Sequence, residues 1–183
     1  MPEKQKLRDM VYTGMFACLM SICAWISIPA PVPFTLQTLG VFLTMGLLGG
    51  KRGTRAVGLY LLMGSVGLPV FSGFQGGFGH LLGASGGYLI GFLGTALVMW
   101  GIEALASPRL LPLGMLLGTA CCYLIGTGWY VRFYATGTIG FPEAFSLCVA
   151  PYLLPDLCKG LVALPLIRKL RPHLALSAQT GKN

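Results

Sequence analysis

The sequence predicts an all-α integral membrane protein, a single-domain bundle of six transmembrane helices over residues 1–183 with both termini cytoplasmic. Apolar residues make up 55% of the chain and charged residues only 10%, against about 25% in soluble domains. The chain therefore lacks the charge needed for the polar shell of a soluble protein. Its apolar residues fall into runs separated by glycine, proline and charge, and the expected spans are 10–28, 36–49, 56–70, 85–105, 110–128 and 153–169.

Two of these runs, 36–49 and 56–70, are clearly shorter than the roughly 20 helical residues (about 17 at the least) that a hydrocarbon core about 30 Å thick requires. Some helices are therefore expected to end inside the protein or to tilt little. The breaks between runs are the proline-rich segment 29–33, the glycine-rich and basic segment 49–53, the glycine-rich stretch 72–87, and the segments 107–109 and 129–142.

The distribution of the basic residues predicts the topology. If the N-terminus is inside, nearly all of the 13 lysines and arginines fall in cytoplasmic segments. Arg132 lies in an outer loop and Lys159 within the last apolar run. The inner residues are Lys4, Lys6, Arg8, Lys51, Arg52, Arg55, Arg109, Arg168, Lys169, Arg171 and Lys182. Because they occupy alternate loops rather than one water-exposed face, the net charge of +8 indicates membrane topology and not nucleic-acid binding.

No metal or cofactor is expected from the cysteines. None of the six forms a C-x-x-C pair, and most lie within apolar runs, where a thiol behaves as a small apolar side chain. They are Cys18, Cys23, Cys121, Cys122, Cys148 and Cys158.

Small residues recur at helical spacing in three spans, which lets helix backbones approach closely in a bilayer. In the fourth and fifth spans this pattern is interpreted as internal packing, and its glycines are Gly83, Gly87, Gly91, Gly114 and Gly118. In the first span one face could either pack inside the bundle or dock another membrane protein, and the sequence leaves both open. That face carries Gly14, Ala17, Ser21 and Ala24.

The candidate ligand site centres on Asp156 and Lys159, which share a helix face because they are three residues apart. Pro155 suits the first turn of a helix, so the last helix is predicted to begin near residue 155. Ionisable groups within a membrane domain are costly and usually face an interior cavity. The pair therefore predicts a polar ligand site, with a mutually neutralised structural pair as the alternative.

Two outer segments are expected to complete that site. The prolines of 29–33 stiffen a connection that could lie across an outward-facing cavity as a lid over residues 29–38. The segment 71–78 places aromatic side chains on a glycine-rich backbone, suited to stacking on a flat ring, although ordinary loop packing is an alternative. The candidate contacts, with one from the next span, are Phe34, Gln37, Phe71, Phe74, Gln75 and Tyr88.

Two sequence patterns that would indicate catalysis or ATP binding are incomplete in this chain. The segment 83–87 fits the G-x-S-x-G pattern of a serine hydrolase, but a serine nucleophile needs a base within hydrogen-bond reach. The two histidines are His80, in an outer loop, and His173, in the polar tail, and no later span carries one. A Walker A loop is also absent, because Gly50-Lys51 is followed by Arg52. Any ATP-driven step must then belong to a partner.

Four segments of the chain resemble one known family. They are 28–39 (Ile-Pro-Ala-Pro-Val-Pro-Phe-Thr-Leu-Gln-Thr-Leu), 60–71 (Tyr-Leu-Leu-Met-Gly-Ser-Val-Gly-Leu-Pro-Val-Phe), 86–92 (Gly-Gly-Tyr-Leu-Ile-Gly-Phe) and 155–159 (Pro-Asp-Leu-Cys-Lys). In this order they resemble the BioY family, the biotin-specific substrate-binding (S) components of energy-coupling-factor (ECF) vitamin transporters. An S component for another vitamin is the alternative, and an intramembrane serine hydrolase a distant one.

The resemblance implies six helices, an outward pocket for biotin closed by the first outer loop, and a plasma-membrane complex with a T-type membrane protein and two ATP-binding subunits. The D-x-x-K motif of the family falls on Asp156 and Lys159. Its A-x-x-x-A docking motif falls on Ala17 and Ser21, with serine in the second place. Where many relatives have G-P-T-G-G-Y, residues 83–88 read Gly-Ala-Ser-Gly-Gly-Tyr, and the segment 72–88 has no arginine to meet the ligand's carboxylate.

Overall fold

Helices account for most of the chain in this computed structural model, which describes residues 2–29, 32–105, 110–135 and 139–180. The four long helices are α1 (Pro2–Trp25), α5 (Gly86–Leu105), α6 (Leu111–Trp129) and α8 (Ala150–Thr180). The shorter ones are α2 (Gln37–Leu48), α3 (Gly50–Ser65), α4 (Phe78–Leu81) and α7 (Phe141–Cys148). A small antiparallel hairpin of β1 (Ser27–Ile28) and β2 (Phe34–Thr35) follows α1. A π-helical turn, Tyr130–Tyr134, extends α6.

Several of these helices are apolar and of membrane-spanning length, as the composition predicted. Within the described residues four qualify, namely 3–25, 86–105, 111–134 and 150–174. The second and third predicted spans correspond to shorter helices, because α2 has 12 residues and α3 has 16. At about 1.5 Å per residue they reach only about 18 and 24 Å, less than the roughly 30 Å of a hydrocarbon core.

The third predicted span, 56–70, is displaced along the chain, because α3 runs from Gly50 to Ser65. Gly49 adopts φ +77°, a conformation open to glycine, and reverses the chain between α2 and α3 within one residue. The basic residues at 51, 52 and 55 therefore lie in the first turns of a helix and not in a loop. The helix ends before Gly67, which has φ +102°.

The last helix also begins earlier than predicted. It starts at Ala150, so Pro151 and not Pro155 occupies the first turn, where the missing N–H leaves no hydrogen bond unmade. Pro155 lies inside the helix, together with Pro165 and Pro172. Asp156 is consequently near the end of the second turn of α8.

The glycines of α5 and α6 lie where the two helices touch, which confirms the interpretation of internal packing for that pair. A Cβ at Gly91 would lie 2.7 Å from Cys122 Sγ, and one at Gly118 would lie 2.7 Å from Thr95 Cγ2. The exception is Gly83, which precedes α5 and meets only atoms of its own turn.

Several segments predicted to be cytoplasmic meet at one end of the bundle. Arg52 pairs with Asp9 of α1 at 3.2 Å, and Arg171 of α8 pairs with Glu103 of α5 at 2.7 Å. The Glu103 carboxylate also accepts a hydrogen bond from the backbone N–H of Gly50 (2.5 Å). These contacts bring the start of α1, the α2–α3 turn and the ends of α5 and α8 to the same side. Pro31, Arg109 and Lys182, named in the predictions, lie outside the described residues.

Candidate ligand-binding site

Asp156 and Lys159 form an ion pair inside the protein, on one face of α8 as their spacing predicted. Asp156 Oδ1 and Lys159 Nζ are 2.6 Å apart, and the two side chains are 10% and 8% exposed. The other carboxylate oxygen, Oδ2, accepts a hydrogen bond from the hydroxyl of Tyr123 on α6 (2.6 Å). The carboxylate therefore joins α8 to α6 and has a partner on each oxygen.

Lys159 connects α8 to the hairpin that follows α1. Its ammonium donates to the backbone carbonyl of Thr35 (2.7 Å) and lies 4.4 Å from the centre of the Phe34 ring, within the range of a cation–π contact. Tyr152 strengthens the connection, because its hydroxyl donates to the carbonyl of Val32 and its ring stacks on Phe34. The segment predicted to act as a lid is thus fixed to the helix that carries the ion pair.

Gln37 ties the start of α2 to α3. It is 4% exposed, and its backbone N–H donates to the Thr35 hydroxyl (3.1 Å). Its side-chain amide donates to the hydroxyl of Tyr60 on α3, which in turn donates to the carbonyl of Val70 (3.2 Å). The chain of bonds orders three segments around one polar side chain.

These groups surround a cavity with about 720 Å³ of empty space, counting its open mouth. Its polar lining residues are Thr35, Gln37, Thr38, Ser72, His80, Ser85, Tyr88, Thr95, Thr119, Tyr123, Tyr152, Asp156 and Lys159. Its apolar lining includes Val32, Pro33, Val41, Leu89 and Phe92. The site is therefore a pocket in which many polar side chains converge beside an apolar wall.

Four of the eight predicted ligand contacts line this cavity, namely Gln37, Tyr88, Asp156 and Lys159. Phe34 does not line it but covers Lys159 from the side. Phe71 is fully buried beside the cavity, and its ring meets Tyr60 edge-on at 5.5 Å.

Phe74 and Gln75 do not reach the cavity, which differs from the prediction. Gly73 (φ +67°) and Phe74 (φ +58°) turn the chain outward, and the backbone of Gln75 returns to pair with that of Phe71. Phe74 is 63% exposed and stacks on Trp25 of α1, with ring centres 4.9 Å apart. Its ring therefore packs against α1 and not in the cavity.

The three residues predicted to dock a partner are placed differently from one another. Ala17 is fully buried and Ser21 is 4% exposed, with its hydroxyl donating to the carbonyl of Ala17 (3.0 Å). Gly14 is half-buried, and a Cβ there would meet no atom within 4 Å. Burial favours internal packing for Ala17 and Ser21, whereas Gly14 has free space beside it.

The sequence did not point to Tyr123, Tyr152 or the hydroxyl of Ser72. A tyrosine inside an apolar span was the available signal, because a buried phenol usually has a hydrogen-bond partner. In the sequence, His80 is a candidate only for a catalytic base. It lines the cavity together with Ser85, but within the described chain no hydrogen bond joins the two. Burial lowers the pKa of the His80 imidazole.

The comparisons with known proteins agree with one another. The sequence matches the family model of the BioY family over residues 1–176. It is 36% identical to the probable biotin transporter BioY of Pyrococcus horikoshii over 91% of this chain and 98% of that protein. It is 38% identical to the biotin transporter BioY of Thermotoga maritima, over 90% and 96%. Among solved structures it resembles the S-component for biotin from an ECF-type ABC transporter, with a TM-score of 0.82, 28% identity, and coverage of 94% and 95%.

Proposed function

We propose that this chain, which belongs to the BioY family, binds biotin as the S component of an ECF transporter and mediates biotin uptake across the plasma membrane. The observation that carries the proposal is the buried Asp156–Lys159 pair, which lines a cavity together with Gln37 and Tyr88. The chain is a multi-pass membrane transporter and not an enzyme.

The hydrogen-bonding capacity of the pair suits the ureido group of biotin, which offers two N–H donors and one carbonyl acceptor. An ammonium has three donors. Lys159 uses one on Asp156 and one on Thr35, so one is left for the ligand carbonyl. Each Asp156 oxygen has one protein partner and spare lone pairs for a ligand N–H. The sulfur ring and aliphatic chain would lie against the apolar walls that Val41, Leu89 and Phe92 supply.

The hairpin of β1 and β2 is proposed as the lid of this site. It contacts α8 through Lys159 and Tyr152, and both Val32 and Thr35 line the cavity. A ligand that reaches Lys159 would then lie directly below the hairpin. The remaining predicted contacts, Phe34, Phe71, Phe74 and Gln75, are proposed to act by packing around the site.

Transport needs partners, and we propose a T-type membrane protein with two ATP-binding subunits. The chain has no Walker A loop of its own. We further propose one membrane domain over 1–183 with six crossings and cytoplasmic termini, in which α2 and α3 supply the two short crossings. The ion pairs that gather basic segments at one end of the bundle support this orientation. Docking through Gly14, Ala17 and Ser21 stays a prediction, and Gly14 is the accessible member.

The experiment that tests the function is mass spectrometry of protein purified in detergent from biotin-replete cells, followed by calorimetric titration of ligand-free protein. We expect co-purified biotin and saturable binding at one site. Riboflavin and thiamine serve as matched controls and should give no heat. Binding of one of these vitamins in place of biotin would assign the chain to another substrate and refute the proposal.

A further inference from the structure

A second group that can carry charge faces the cavity from another wall. His80, on α4, lines the cavity, and its ring stacks on Phe71 with centres 5.3 Å apart and planes 22° apart. Within the described residues its ring nitrogens have no hydrogen-bond or ion-pair partner. α4 packs on α3 and α5, whereas α8, which carries Lys159, packs mainly on α2, α6 and α7. The imidazole and the ion pair therefore lie on different sides of the same cavity.

Two hydroxyl groups border the cavity on the same stretch of chain as His80. Ser72 is 9% exposed, and Ser85 is half-buried. Both residues line the cavity, and neither hydroxyl has a hydrogen-bond partner in the part of the chain that the structure describes. A ligand with acceptor oxygens would supply the missing partners.

The charge balance of the cavity limits where an anion can bind. Among the described lining residues, Lys159 and His80 are the two that can carry positive charge. The ammonium of Lys159 is 2.6 Å from the carboxylate of Asp156, so that pair has no net charge to offer an anion. The imidazole of His80 faces no such carboxylate on α4 or on the helices that pack against it, α3 and α5.

We propose that His80, with the hydroxyls of Ser72 and Ser85, binds the carboxylate at the end of the ligand's aliphatic chain. This inference rests on the proposed function, because it takes biotin as the ligand. The ring system would occupy the ion-pair wall and the carboxylate the histidine wall. The carboxylate thus meets a side chain whose positive charge depends on pH.

The proposal gives biotin binding a pH dependence of known sign. Burial lowers the pKa of His80 in the empty site, so its imidazole is neutral there at pH 7. A bound carboxylate favours the charged imidazole and raises its pKa in the complex. Binding then takes up a proton, and affinity rises as pH falls through the pKa of the complex.

Other titratable groups face the cavity and need a control. Tyr60 of α3 lies behind Phe71, and Tyr88 lines the cavity from α5. The thiols and phenols on the other helices are Cys122, Tyr123, Cys148 and Tyr152. Phenols and thiols have ordinary pKa values above the range from about pH 6 to about pH 8. Asp156 and Lys159 contribute to the affinity for biotin and to the affinity for its carboxamide alike. The difference in affinity between these two ligands therefore excludes their contribution.

The test is calorimetric titration of biotin and of its primary carboxamide, at about pH 6 and about pH 8, into wild type, His80→Gln and His173→Gln. We expect wild type to bind biotin about 10- to 100-fold more tightly than the carboxamide at pH 6, the range for one hydrogen bond to a charged group. Only wild type and His173→Gln should bind biotin more tightly at pH 6 than at pH 8. His80→Gln should lose that advantage and keep the affinity for the carboxamide. His173 is exposed on α8, so its variant is the matched control.

Three results would overturn the assignment of His80. One is equal wild-type affinity for biotin and its carboxamide, which needs no variant to fold. Another is a His80→Gln protein that still prefers biotin over the carboxamide. The third is an equal loss for both ligands, which would mean that the ring only shapes the cavity. Failure of wild type to bind either ligand would instead refute the proposed function.

Discussion

Removing the ammonium of Lys159 is the sharpest test of the proposed site. Lys159→Met keeps the length of the side chain but leaves the buried Asp156 carboxylate with Tyr123 as its remaining protein partner. Truncating one member of a buried charged pair typically weakens binding by about 2–5 kcal/mol, or about 30- to 4,000-fold in affinity. Asp156→Asn preserves shape and removes the charge, so it should fall in the same range. Lys169→Met, on an exposed face of the same helix, is the matched control and should bind normally.

A purely structural ion pair predicts a different pattern. Each single variant would then lose about 3–5 kcal/mol of stability, while the double variant Asp156→Leu/Lys159→Met would recover it, because well-packed apolar residues often replace a buried pair without loss. The assay is calorimetric titration with biotin combined with thermal unfolding, on both single variants and the double variant. A double variant with wild-type affinity for biotin would remove Asp156 and Lys159 from the site. The ligand would then have to be held by Gln37 and Tyr88 among the predicted contacts.

Two further predictions concern topology and docking. In a cysteine-free background, Lys51→Cys should not react with an impermeant thiol reagent applied to intact cells. Phe78→Cys, in the outer segment, should react with it. Labelling at position 51 from outside would contradict six crossings with cytoplasmic termini. Gly14→Trp should block assembly with the partner subunits and leave biotin binding in isolated protein unchanged, because space is open beside Gly14. Ala17→Trp should lower the thermal stability of the isolated chain, since Ala17 is fully buried; an unchanged melting temperature with lost assembly would restore Ala17 to the docking face.

The helices best predicted from the sequence are those with clear signals at both ends. α2 and α5 were predicted as 36–49 and 85–105 and occupy 37–48 and 86–105. Each is a continuous apolar run bounded by glycine or by the end of a proline-rich segment. The Asp156–Lys159 pair was also found from the sequence, because a charge inside an apolar run is rare and spacing alone places both on one face.

The basic residues led to a wrong prediction of where α3 begins. The predicted span 56–70 begins after Arg55, because basic residues usually lie in the loops of a membrane protein. In the structure Gly49 makes the turn alone, so Lys51, Arg52 and Arg55 are already helical. A helix needs apolar residues only where it contacts lipid or protein, and its first turns can carry charge at the membrane surface. Hydropathy therefore predicted the apolar part of α3 but not the start of the helix.

The site contacts that were missed or misplaced depend on long-range geometry. Phe74 and Gln75 follow Phe71 closely, yet the positive φ angles at Gly73 and Phe74 direct them away from the cavity, towards Trp25. Glycine permits such a turn without specifying its direction. Tyr123 reaches Asp156 from 33 positions away in the chain. Neither arrangement leaves a pattern of spacing, so a single sequence cannot reveal it.

The geometry of Lys159 gives a physical reason why a charged pair serves this site better than an apolar one. Its ammonium holds the Thr35 carbonyl of the hairpin and the Asp156 carboxylate at once, and on the proposed function its third donor meets the ligand. A ligand carbonyl on Lys159 would then accept from the one ammonium donor that has no hydrogen-bond partner among the described residues. The same cation also donates to the hairpin. All three donors of the ammonium therefore have partners only when the hairpin is attached and the ligand is bound. On the proposed function, the hairpin and the ligand therefore both contact the ammonium of Lys159.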